Sequence, residues 1–323
     1  MSLITPARSS TAAPVTPPAA GKKADRAGVP YAFLAPALVL FVLFLAAPIL
    51  YAGYLSLRKV KVSGLGLGAK ARTEVWAGLS NYARSLTDPD FLPSVWRVAA
   101  YGMIVVPTML GLALLFALLL DANRTRESVG RFSRIAIFLP YAVPAVVASL
   151  LWGFLYLPRV SPITDLIEAF GVTAPNMLSS SGTIWAVANI AVWGGTGFNM
   201  IVIYTALRAV PLSLYESARI DGASEVAIAW RIKIPIVMPS LVMTFVFSLI
   251  ATLQVFAEPM VLKPLSNTIS TTWTPLMKVY RDAFTRNDIH AAAATSVIIA
   301  VATFILSFGF LKVVGRRAFN QED

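Results

Sequence analysis

Six apolar segments constrain this chain more than any other feature. They lie at about residues 29–57, 98–120, 135–157, 183–207, 241–262 and 291–313. A helix needs about 20 apolar residues to cross a hydrocarbon core, and each segment reaches that length. Within lipid the backbone has to satisfy its own hydrogen bonds, so such segments are helices. Composition closes the other routes. The chain is 57% hydrophobic and only 13% charged, with a mean hydropathy of +0.71, whereas soluble domains carry about 25% charged residues. An ordinary soluble enzyme and a disordered protein are both excluded. Cysteine is absent, which removes disulfides, thiolate nucleophiles and Cys-based metal sites, and the single histidine, His290, cannot build a multi-His metal centre. The expectation is an all-α membrane protein with six transmembrane helices, and His290 beside the sixth is read as interfacial.

Ahead of the first segment, residues 1–28 are rich in Ala, Pro, Ser and Thr, with Lys22, Lys23 and Arg26 close to the apolar run. This reads as a disordered cytoplasmic arm rather than a signal peptide, because the apolar run is about twice the usual 7–15 residues. Residues 29–315 form the membrane domain, and 316–323 a cytoplasmic tail. The formal charge of +11 points to topology rather than nucleic acid, since Lys and Arg concentrate in cytoplasmic loops. Six spans put both termini on one side. The basic residues weigh slightly toward that side being cytoplasmic, and the cluster Arg58, Lys59, Lys61 after the first span opposes it. Gly and Pro interrupt the spans at Pro36, Pro48, Pro107, Pro140, Pro144, Gly194, Gly195 and Gly197. Such breaks fit either a moving transport path or kinks used for packing.

Residues 211–239 are polar enough to sit outside the bilayer. Ser213 and Glu216 have the spacing of a capping box at a helix start. Leu214, Tyr215 and Ala218 form an apolar stripe opposite Glu216 and Arg219, and Asp221-Gly222 stops the helix. A second amphipathic stretch, 224–234, ends at Pro235. Two short helices meeting at a glycine serve either to dock a soluble partner or to lie on lipid.

At this point the sequence resembles a known family. Glu216-Ser-Ala-Arg-Ile-Asp-Gly222, nine residues, then Ile232-Lys-Ile-Pro235 resembles the EAA loop of permease subunits in binding-protein-dependent ABC importers. That pattern is Glu-Ala-Ala, three residues, Gly, nine residues, Ile-x-Leu-Pro. Ser217 and Ile234 depart from it by small changes. The segments Tyr31-Ala-Phe-Leu-Ala-Pro36, Ser80-Asn-Tyr82, Gly197-Phe-Asn-Met200 and Gln254-Val-Phe256 are similar to carbohydrate-uptake permeases of the maltose and glycerol-3-phosphate kind. Lys263-Pro-Leu-Ser-Asn267 stands where such permeases often have a Gly-Gly-Pro turn.

The resemblance implies a type I ABC importer permease fold in the bacterial inner membrane. Its coupling loop would dock a separate ATPase through Glu216, Ser217, Ala218, Arg219, Asp221, Gly222 and Pro235. It also implies the partners: a second permease subunit in a heterodimer, two ATP-binding subunits, an extracytoplasmic solute-binding protein and a sugar. ATP and Mg would be bound by the ATPase. This chain has no G-x-x-x-x-G-K-[ST] sequence, and its nearest glycine cluster, Gly64 to Gly68, lacks the Lys-Ser/Thr. It has no cofactor and no catalytic residues of its own.

A substrate path would use polar and aromatic groups within the spans, where polar residues are costly and functional. The candidates are Asn189, Trp193, Asn199, Tyr204, Gln254, Phe256 and Glu258. Amides exchange hydrogen bonds with hydroxyls and rings cover apolar sugar faces, so the set suits a neutral polyol. Each residue has an alternative reading as interhelical packing. An ion-coupled secondary transporter is the rival function, but it needs paired intramembrane carboxylates or histidines, and Glu258 stands alone. No constellation for an intramembrane enzyme falls within the spans.

Overall fold

The computed structural model describes residues 28–62, 72–122, 127–158 and 160–319. The expected N-terminal arm, the Gly64 to Gly68 cluster and the last residues of the tail lie outside these. The chain divides after Ile49 into two compact units. The first holds α1 (Gly28–Phe41), a π turn at Val42–Ala46 and the start of α2 (Ala47–Ser56), which together carry the first apolar span.

The second unit begins with the rest of α2 and continues in a two-stranded antiparallel hairpin, β1 (Arg58–Val62) and β2 (Arg72–Trp76), in register from Arg58 opposite Trp76 to Val62 opposite Arg72. The cluster that opposed the charge rule therefore lies on a strand. Lys and Val alternate there, a period of two that hydropathy averaging does not register. Helices follow: α3 (Ser80–Leu86), α4 (Phe91–Asp121), α5 (Glu127–Phe138), α6 (Ala145–Leu155), α7 (Pro162–Ala169) and α8 (Thr183–Arg208). Next come α9 (Leu212–Ile220), α10 (Glu225–Ile228), α11 (Ile234–Ile236), α12 (Met238–Leu253), α13 (Ala257–Leu262), α14 (Pro275–Tyr280) and α15 (Ile289–Phe319).

Five helical stretches among the described residues are long and apolar enough to cross a membrane, and a bent pair supplies a sixth. That pair is the third expected span, which turns through 97° between Ala142 and Ala145. The cause is Pro140-Tyr-Ala-Val-Pro144. A 3-10 turn at Leu139–Ala142 ends on extended Val143, the conformation a residue before proline prefers. The fifth span is also broken. α12 stops at Leu253 and α13 begins at Ala257, with Gln254-Val-Phe256 between them.

α4 and α8 form the centre. Ala113 and Ala117, four residues apart and fully buried, meet Met200, Ile203 and Leu207 of α8, the close approach that small residues give membrane helices. Above them Val98, Tyr101, Val105 and Met109 join Ala186, Val187 and Ile190. Gly197 permits a tighter contact. A Cβ there would collide with the Ile137 carbonyl oxygen and Phe138 Cα, so α8 touches the backbone of α5. At the hairpin end, Asn81 Nδ2 donates to the carbonyls of Ser56 and Arg58, at 2.8 and 2.7 Å. His290 is buried within the protein, its Nδ1 3.0 Å from the Leu55 carbonyl oxygen.

Candidate functional site

Two features stand out: a polar-to-apolar cavity between helices, and the loop after α8. The loop starts at Pro211, whose extended ψ of 133° serves as the N-cap of α9 with no side-chain capping bond. The expected Ser213–Glu216 capping box does not form. Proline starts the helix before Ser213, which is then already inside it, while Glu216 lies exposed on the surface. The other end agrees with the sequence. Asp221 is the C-cap and Gly222 has φ +82°. Ala223 N–H donates to the Ala218 carbonyl at 2.9 Å and Gly222 N–H to that of Arg219 at 3.0 Å. These two bonds make a Schellman motif, which a glycine at the left-handed position allows.

The apolar stripe turns differently from the expectation. Tyr215 is buried against Ile228 and Val210, with Ala218, Ala223 and Ile232 around them. Leu214 instead faces outward, as do Leu212, Ile220, Val226 and Trp230. Ser217 and Glu216 share the exposed side. Arg219 donates through Nε to Glu225 Oε1 at 2.8 Å. Ser224 caps α10 by accepting from Ala227 N–H. Pro235 does not end the second helix, as the sequence implied. A π turn at Ala229–Lys233, closed by Ile234 N–H to the Ala229 carbonyl, carries the helix through it. Proline has no N–H to continue the ordinary ladder, and the break comes at Val237.

Sequence reasoning missed the buried pair beneath this loop. Lys233 Nζ donates to Asp121 Oδ2 at 2.6 Å, with side chains only 5% and 4% exposed. The same ammonium lies 4.9 Å from the Tyr215 ring centroid. Burial and the Asp121 charge raise the Tyr215 phenol above its usual value, against the opposing Arg208.

The cavity holds about 720 Å³ and is walled by α4, the bend before α6, α8 and the α12–α13 break. Asn199, Gln254, Phe256 and Glu258 line it, and Glu258 therefore faces the cavity rather than the outer surface. Asn199 donates to Met109 Sδ at 3.1 Å and to the Gly195 carbonyl at 3.0 Å, and accepts from Ser248 at 3.4 Å, tying three helices together. The other candidates are elsewhere. Asn189 donates to Tyr156 Oη at 2.9 Å. Trp193 packs edge-on against Trp152. Tyr204 accepts from Arg134 at 2.9 Å, beneath its guanidinium. None of the three is among the residues that line the cavity. The sequence reading passed over Tyr101, Tyr141, Phe198, Ser248 and Thr252, which also line the cavity, with Tyr141 and Phe198 stacked at 4.9 Å. Ser248 and Thr252, four residues apart in an apolar span, were the available signal. Among the lining residues Glu258 carries the single formal charge.

A bundle of membrane-length helices around a cavity, with a capped helical loop at one end, defines a membrane transport subunit. The match to known proteins is more specific. Residues 109–320 match the family described as binding-protein-dependent transport system inner membrane component, and the chain belongs to that family. It is 31% identical over 283 residues to the sn-glycerol-3-phosphate transport system permease protein UgpA of Salmonella choleraesuis (strain SC-B67), covering 86% of this chain and 91% of that protein. The UgpA of Escherichia coli O6:K15:H31 (strain 536 / UPEC) is 30% identical with the same coverage. The fold is that of a chain in a bacterial alginate ABC transporter, solved in complex with an alginate pentasaccharide-bound periplasmic protein. The TM-score is 0.78 at 18% identity, covering 91% of this chain and 96% of that one. The chain is thus an inner-membrane permease component of an ABC importer with a type I permease fold, and not an enzyme. The ion-coupled alternative falls with that assignment.

Proposed function

We propose that this chain forms, with a second permease subunit, the heterodimeric path for a sugar or sugar derivative, driven by two ATPase subunits and loaded by an extracytoplasmic binding protein. ATP and Mg belong to the ATPase. The loop at 211–239 faces the cytoplasm, as do both termini, and α9 with the Gly222 turn is the ATPase contact. Glu216, Ser217, Ala218, Arg219, Asp221, Gly222 and Pro235 shape or present that contact. The observation that carries the reading is the loop itself. A nine-residue helix is fixed by a buried Tyr215 and a Schellman turn, yet it leaves Leu212, Leu214 and Ile220 exposed beside Glu216. An apolar patch with a polar rim on a rigid element marks a protein docking surface.

The cargo passes through the cavity at Asn199, Gln254, Phe256 and Glu258. Two relatives are named for glycerol-3-phosphate, and the alginate importer is named for an acidic polysaccharide. This chain lines its cavity with one carboxylate and no Lys or Arg among the described residues, which favours an uncharged polyol. The chain has no native cysteine, so Arg219→Cys can be labelled alone. Reaction with an impermeant maleimide from outside the cell would overturn the orientation. In proteoliposomes holding the whole complex, sugar uptake should require ATP and the loaded binding protein.

A further inference from the structure

We infer that the Lys233–Asp121 ion pair is the link through which the coupling loop moves the cavity wall, which makes both residues positioning residues for transport. This rests on the coupling role proposed above for residues 211–239. The partners stand 112 residues apart in sequence and 2.6 Å apart in space, both buried. Lys233 closes the π turn of the loop, and its ammonium also sits over the ring of Tyr215 in α9. Asp121 is the last residue of α4. Two side-chain steps, Tyr215 to Lys233 and Lys233 to Asp121, therefore join the proposed ATPase-binding helix to α4.

α4 is the right helix to pull. Met109, Val105 and Tyr101 of α4 line the cavity, about 18 to 30 Å along the axis from Asp121 at 1.5 Å per residue. A helix transmits displacement along its axis because its hydrogen-bond ladder resists stretching, and from Asp121 that ladder runs to Met109 before Pro107, which has no N–H to give, interrupts it. The loop also touches the bundle through Val237, packed with Ala113, Ala117 and Leu207. That contact is apolar and non-directional, so it tolerates sliding. A charge-assisted hydrogen bond holds one geometry. Position argues the same way. A carboxylate at a helix C-terminus meets the negative end of the helix dipole, and a buried one is stranded without a cation. Asp121 is tolerable there only with Lys233 beside it, so the pair stays closed as the loop moves.

The test uses the whole complex in proteoliposomes. Lys233→Met and Asp121→Asn are compared with the exchange Lys233→Asp/Asp121→Lys, and Gly222→Val serves as the loop control. The readout is the stimulation of ATPase by loaded binding protein over the basal rate, a ratio that loss of stability alone does not move. Each single variant should retain its ATPase subunits and basal hydrolysis but lose stimulation by about tenfold, within the usual range of allosteric coupling. The exchange should recover most of it. Wild-type stimulation in the single variants overturns the proposal, and so does an exchange that restores assembly without stimulation. If no charge variant assembles, Lys233→Cys/Asp121→Cys joined by a short bismaleimide decides. Transport persists if the pair moves as one and stops if the two must separate. Gly222→Val separates the two readings. If it also leaves stimulation intact, the loop is not the coupling element; if it alone uncouples, only the ion-pair link fails.

Discussion

The two ends of α4 are both held by buried charge, in opposite ways. At the C-terminal end Asp121 and Lys233 have no other ionic partner among the described residues. At the N-terminal end the charges form a web. Lys278 Nζ lies 2.6 Å from Asp282 and 3.2 Å from Asp88. Arg281 reaches Asp90 at 3.1 Å, Asp282 at 2.9 Å and Asp88 at 3.6 Å. Arg286 adds a longer contact to Asp282 at 3.6 Å. The web pins α14 and the following π turn at Arg281–Thr285 to the entry of α4, where acidic side chains also suit the positive end of the helix dipole. Redundancy makes that end tolerant, because each charge lost leaves others to neutralise its partner. The loop end has no such reserve.

The sharpest way to break the contrast is Asp121→Ala. It strands a buried ammonium and should cost about 3–5 kcal/mol, read as a fall in thermal stability of the detergent-solubilised complex. A loss no larger than that of Asp90→Ala would abolish the distinction between the ends. Gly222→Val comes next, at about 2 kcal/mol. An L side chain at φ +82° is strained even though a Cβ there meets nothing within 4 Å. The cost should appear as faster hydrogen exchange confined to 212–228.

A pH test probes the web. Burial would raise the Asp88 carboxyl, but the Asp90 N–H, Lys278 and Arg281 together outweigh it and hold it below its ordinary value of 3.8. A depressed carboxyl contributes stability above its unfolded value and loses it as pH falls through the folded one. Protease resistance at 275–290 should therefore be constant at neutral pH and weaken only below about pH 4. In Asp88→Asn that acid-dependent weakening should shrink. The smallest effect is expected for Arg286→Ala, with a side chain 58% exposed. It should change stability by less than about 0.5 kcal/mol. Glu216→Ala belongs with it, since Glu216 caps nothing; a transport defect there with unchanged melting would locate its role at a partner surface.

What the sequence revealed depended on the range of each signal. Span positions are sums over about 20 residues, so hydropathy found them. The Gly222 turn is local chemistry and was equally legible. Breaks at Pro140 to Pro144 were visible as prolines, although the 97° bend was not, because its angle depends on what packs against it. The capping box failed at Ser213 because Pro211 starts α9 earlier. Chemistry alone points to Asn189, Trp193 and Tyr204, and only packing decides which face of α8 meets the cavity. No local pattern joins Asp121 to Lys233.

The contact at Gly197 has a mechanical consequence. The Ile137 carbonyl and Phe138 Cα occupy the room a side chain would need, so α8 and α5 meet backbone to backbone without a deformable cushion. Side chains can change rotamer to absorb a shift, whereas two backbones in contact have nothing to yield. At this point the two helices have no room to draw closer. Whatever rearrangement opens the cavity to either side should leave that one separation unchanged while the far ends of both helices swing.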